Sequence, residues 1–153
     1  MSLSTVSKYG ILSQGGDPMQ SLELINEDFS TNPEWETSGE NWNWEDTGRM
    51  TWESTYSGEI GIIYTPEFNI SDDVNLTMEL VMSGAHHIRN RTTIEAFNKI
   101  SQNWEVILAK SNPGPGFTFT DILSTNISRI RIIWEATEGL RPSQLHSVIT
   151  TYV

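Results

Sequence analysis

Four of the six tryptophans, Trp35, Trp42, Trp44 and Trp52, fall within eighteen consecutive positions. A flat indole can stack on the apolar face of a sugar ring while its N–H donates to a hydroxyl. Trp42, Trp44, Trp52 and Tyr56 stand among Asn41, Asn43, Glu45, Asp46 and Glu53, whose amides and carboxylates are the partners that a sugar edge needs. The candidate ligand-binding set is therefore Trp42, Asn43, Trp44, Glu45, Trp52 and Tyr56. A hydrophobic core also takes indoles: Trp35, Trp104 and Trp134 are read as core, and at least one of Trp42, Trp44 and Trp52 is expected there too.

The remaining chemistry-bearing groups do not form a reaction centre. His86 and His87 are adjacent, so in extended chain they point to opposite faces and cannot share a metal ion; His146 is remote from them in sequence. Asp72-Asp73 reads as a turn. Glu27-Asp28 offers oxygen ligands, but no Asp-x-Asp-x-Asp-Gly loop accompanies it. With no Gly-x-Ser-x-Gly elbow, no phosphate loop and no cysteine, a nucleophile has no recognisable setting. No catalytic residue is assigned, and an enzyme is not expected. Arg129 and Arg131 share one outward face, with Arg89 and Arg91 earlier in the chain, and could form a small basic spot for an acidic sugar.

The elements that must carry these residues are strands. Asn75 to Met82 alternates strictly, with Leu76, Met78, Leu80 and Met82 on one face. The same period of two runs through Glu59 to Tyr64, Thr92 to Phe97, Trp104 to Ala109, Arg129 to Ala136 and Ser147 to Tyr152. Ile130, Ile132, Trp134 and Ala136 are expected to face in. A first strand is expected over Ser21 to Ile25; Trp42 and Trp44 are expected to share a face, as are Met50 and Trp52, with a hairpin turn at Asp46-Thr47-Gly48 between the two pairs. Connectors are turn peptides: Ser83-Gly84, Asn112 to Gly116, and Glu138-Gly139 before Pro142. No long window keeps helical spacing. The pattern predicts an all-β fold, an antiparallel β-sandwich of jelly-roll type over residues 21–153, preceded by a flexible arm or linker over 1–20.

Composition narrows the partners. The 153 residues carry 20 acidic and 9 basic side chains, a formal charge of −11, which repels nucleic-acid phosphates and anionic membranes. No stretch approaches the roughly 20 apolar residues of a spanning helix. Met1 to Val6 has neither a basic start nor an apolar run, so no signal peptide is read there. Glycans, neighbouring domains and protein subunits are the expected partners.

Glu27-Asp28-Phe29, then Trp35, then Trp42 or Trp44, then Thr65-Pro66-Glu67-Phe68-Asn69-Ile70-Ser71, with a strand through Ile130-Arg131-Ile132, resembles the cleaved-adhesin and choice-of-anchor jelly-roll modules. These are related in architecture to MAM domains and carbohydrate-binding modules. The resemblance implies a non-catalytic module of a surface or secreted protein, extracellular, that binds glycans or other proteins. It also implies a structural calcium, with Glu27 and Asp28 as its ligands here. The sequence departs from the pattern at Leu145-His146-Ser147-Val148, where such modules often carry an Asp-Asn pair for that ion; this counts against calcium at Glu27 and Asp28, and no cofactor is expected to be required. Ser7 to Leu12 looks like the leader segments of phage appendage proteins. A structural module of a surface assembly or virion is therefore the alternative reading, with a jelly-roll polysaccharide-active enzyme third.

Overall fold

In a computed structural model the chain forms two antiparallel sheets facing each other, and residues 23–82, 90–110, 116–137 and 142–153 are described. The expected arm over 1–20, the His86-His87 pair and most of the turn peptides after residue 82 lie outside these residues. Among the described residues there are eleven strands and no helix: β1 (Asn26–Glu27), β2 (Thr37–Ser38), β3 (Trp42–Glu45), β4 (Arg49–Glu53), β5 (Ile60–Tyr64), β6 (Val74–Met82), β7 (Arg91–Asn98), β8 (Asn103–Lys110), β9 (Gly116–Leu123), β10 (Ile127–Glu135) and β11 (Pro142–Tyr152). The first sheet runs β3-β4-β11-β6-β9, with β1 also on β11, and the second runs β2-β5-β10-β7-β8. The jelly-roll β-sandwich is the observed fold. The first strand starts later than the alternation suggests, at Asn26, although Ile25 before it is already fully buried.

The period-two pattern becomes the core directly. Leu76, Met78 and Leu80 of β6 and Leu145 and Val148 of β11 meet Ile94 and Ala96 of β7 and Ile130, Ile132 and Trp134 of β10 between the sheets. Burying each such side chain stabilises the fold by roughly 1.5–3 kcal/mol relative to leaving it in water. β11 is the spine of the first sheet. It pairs with β6 along one flank and with β4, then β1, along the other, and a register shift between Leu145 and Ser147 lets both fit.

Two irregular segments are held by side chains acting on main chain. Thr65 N–H donates to Ile130 O at 2.9 Å, and its hydroxyl accepts Ile130 N–H at 3.0 Å, so the chain beyond Tyr64 stays against β10 and drops Phe68 and Ile70 into the core. Phe29 adopts a left-handed φ of 57°, unusual for a bulky residue. The carboxylate of Glu27 accepts its N–H at 2.5 Å, and the buried ring meets Trp35 edge-on at 5.2 Å.

Candidate ligand-binding face

The β3–β4 hairpin forms in the expected place, with Trp42 opposite Trp52 and Trp44 opposite Met50. Its indoles point inward. Trp52 has no exposed surface, and a Cβ built on Gly61 of β5 would lie 2.4 Å from its ring. Half-buried Trp42 stacks on Trp134 at 5.5 Å and 22°, and half-buried Trp44 packs against the same core. Each indole N–H is used at home: Trp42 donates to Ser38 O at 3.0 Å, Trp44 to Phe29 O at 2.8 Å and Trp52 to Glu40 O at 2.9 Å. The expectation of a platform shared by the three is therefore corrected for Trp52, which has no face to offer a ligand. Pleating sends Asn43 and Glu45 to the opposite, outer side. There, with Asn41, Thr51, Glu53 and Thr55, they line a polar cleft of about 250 Å³. Tyr56 is 62% exposed in the loop beyond β4.

Glu45 is fixed within that cleft. Arg49 Nε donates to its Oε2 at 2.5 Å and Thr51 Oγ1 to its Oε1 at 2.9 Å. These bonds, Arg49 first, hold its carboxyl below the ordinary value of 4.5. Glu27 and Asp28 diverge: Glu27 is fully buried with its carboxylate on Phe29 N–H, whereas exposed Asp28 accepts the N–H of Ser30 at 2.9 Å. Each carboxylate thus caps the N–H two residues further along the chain. Asp72 likewise accepts the N–H of Asp73 at 2.9 Å, and His146 bonds Gln144. Among the described residues no three of His, Asp or Glu gather as a metal cage would require.

An aromatic surface does exist, on the outer face of the second sheet. The registers align Tyr64 (β5), Arg131 (β10), Glu95 (β7) and Val106 (β8) in one row, with Arg129, Phe97 and Trp104 in the next. Tyr64 and Trp104 start three strands apart, about 14 Å of sheet. Their rings are nevertheless 6.0 Å apart, so the indole reaches back across β7. It lies over the guanidinium of Arg131, whose Cζ is 4.2 Å from the ring centroid. That guanidinium pairs in turn with Glu95, Nε to Oε2 at 2.6 Å, and both side chains are mostly covered. Phe97 flanks the indole at 5.2 Å, and Arg129 sits 4.8 Å over Tyr64 while pairing with Glu36 at 2.7 Å. The result is a half-buried indole on the outer face, resting on a charged, hydrogen-bonded support.

The fold has known counterparts. It matches the K3 and K1 cleaved adhesin domains of Lys-gingipain from Porphyromonas gingivalis with TM-scores of 0.65 and 0.66, at 15% and 14% identity, over 84% and 85% of this chain and 98% of each of those. A family 29 carbohydrate-binding module, solved as a variant complexed with mannohexaose, matches with a TM-score of 0.55 at 15% identity, over 84% of this chain and 90% of that one. No protein-family model and no curated protein matches the sequence. At these identities the likeness is one of fold.

Sequence reasoning placed Trp104 in the core and left Tyr64 and Phe97 unassigned. The signal was present in the neighbours. Ile63 and Ala96 face in, so Tyr64 and Phe97 must face out, and Arg129 and Arg131 share their side. Trp104 pairs with Phe97 and follows it outward. What hid it is the register shift farther along β8, which breaks the simple alternation from Val106 to Leu108.

Proposed function

We propose that this chain is a non-catalytic carbohydrate-binding or adhesion module that takes its glycan on the outer face of the second sheet. The observation that carries the reading is the indole of Trp104, spread over the Arg131–Glu95 pair between Tyr64 and Phe97. A sugar ring laid on that indole meets a π-face, while Tyr64, Arg129 and Glu36 supply donors and acceptors at its edge. Both arginines are neutralised by carboxylates, which favours an uncharged sugar over an acidic one. The mannohexaose held by a module of similar fold supports the same ligand class. Such a module works outside the cell, appended to a larger surface or secreted protein, and needs no cofactor.

The outer side of the β3–β4 hairpin supports a second placement, with Asn43, Glu45 and Tyr56 as contacts in or beside the polar cleft. A glycan array probed with wild type, Trp104→Ala and Glu45→Gln separates the two. Loss of binding in Trp104→Ala with retention in Glu45→Gln places the ligand on the second sheet, and the reverse places it on the hairpin. A blank array with wild type, with and without calcium, would sink the glycan reading and favour a protein-interaction module.

A further inference from the structure

Every open sheet has edges, and an unpaired strand at an edge is a template for another strand unless something blocks it. Among the described residues every unpaired strand flank but one is short or blocked. β1 and β2 are only two residues long, β3 only four, and β8 is bulged and carries Lys110. β9 differs. Its eight residues run beside β6 without a register shift, it holds no lysine, arginine or proline, and its outward side chains Thr118, Thr120 and Ile122 are exposed.

The direction of its free groups can be read from one bond. Ile122 N–H is taken by the carboxylate of its own neighbour Asp121, at 2.8 Å, so it points away from β6. In an antiparallel ladder alternate residues point the same way. The N–H and C=O groups of Thr118 and Thr120 therefore face the open edge as well.

We propose that β9 is a dimerisation edge, and that it pairs antiparallel with β9 of a second copy about a two-fold axis at Thr120. The strand is complementary to itself in that register. Each Thr120 exchanges N–H and C=O with its counterpart, Thr118 faces Ile122, whose N–H passes from its own Asp121 carboxylate to the facing Thr118 carbonyl, Phe119 faces Asp121, and no like charges stand directly opposite. Charge selects the same place. The chain carries 20 acidic residues, yet β6 and β9, the two strands nearest the edge, hold only Glu79 and Asp121. Two copies of charge −11 meet there with little local repulsion. The pairing runs the first sheet through both copies and leaves both outer faces of the second sheets open, so a dimer would present two ligand faces.

Light scattering after size exclusion, from low to high micromolar concentration, tests this on the full chain. A mass rising towards twice 17.3 kDa is expected, lost both in Thr120→Pro, which removes an N–H that β6 does not use, and in Ile122→Lys, which places a charge on the edge. Circular dichroism checks that both variants remain folded. Residue-resolved hydrogen exchange at high concentration should slow the amides of Thr118, Thr120 and Ile122. A monomer at every concentration overturns the proposal. So does a dimer that survives both substitutions, or one in which these three amides exchange as fast as in dilute protein.

Discussion

Adding one methyl group at Gly61 tests the inward placement of the hairpin tryptophans. Gly61 lies on the core side of β5, and a Cβ built there falls 2.4 Å from Trp52 Cε2, 2.5 Å from Nε1 and 2.7 Å from Cδ2. Ordinary contact requires more than 3.4 Å, so about 1 Å of movement is demanded. The indole has little room to move: it is fully buried, its N–H is tied to Glu40 O at 2.9 Å, and Trp42 lies 6.4 Å away in a stack that continues to Trp134. Overpacking of this kind costs about 1–3 kcal/mol, and the rigid neighbours place Gly61→Ala near the upper end. For a domain of this size that is a fall in Tm of roughly 5–10 °C. Urea unfolding followed by tryptophan fluorescence measures it. Gly58→Ala is the control, because its φ of 90° is strained for alanine while nothing lies within 4 Å of the new Cβ; about 1 kcal/mol is expected there. A Gly61→Ala variant within 0.5 kcal/mol of wild type, on the order of the usual surface substitution, would refute the packing described for Trp52.

Other substitutions probe separate parts of the account. Thr150 Oγ1 accepts the buried N–H of Ile25 at 2.7 Å, so Thr150→Val should cost about 1–3 kcal/mol in equilibrium unfolding by leaving that donor unpaired. Glu45 has its pKa depressed in the folded protein, so its contribution to stability is present above the ordinary value of 4.5 and is lost as pH falls through the folded value. Wild type should therefore lose its advantage over Glu45→Gln on acidification below pH 4.5, read as converging urea midpoints. The proposed glycan face on the second sheet calls on no metal, so titrations with and without EDTA are expected to superimpose, and loss of binding in EDTA would count against that placement.

The sandwich was legible because its strands alternate cleanly. Ile130, Ile132 and Trp134 in, Arg129 and Arg131 out, follows from pleating alone and is what the structure shows. No strand is expected from the sequence over β9, although Phe117-Thr118-Phe119-Thr120 alternates directly after the turn peptide Asn112 to Gly116. The site was harder to read for a physical reason. Polar neighbours such as Asn43 and Glu45 suggest exposed indoles, yet in a pleated strand a polar neighbour lies on the other face from the tryptophan beside it. Trp42, Trp44 and Trp52 are the inward half of that alternation. Trp104 reads as core because a hydrophobic core takes indoles, whereas the face it lies on is set by its pairing with Phe97 at the sheet edge, a register that the sequence does not print.

The most direct test of the central claim is a nuclear magnetic resonance titration that follows the six indole N–H signals, one for each tryptophan, as mannohexaose is added. Trp42, Trp44 and Trp52 have their N–H groups bonded to main-chain carbonyls of this chain. The Trp104 signal is predicted to move in a saturable way while those three stay still. Saturable movement of Trp42 and Trp44 with Trp104 unmoved would contradict the placement of the ligand on the second sheet.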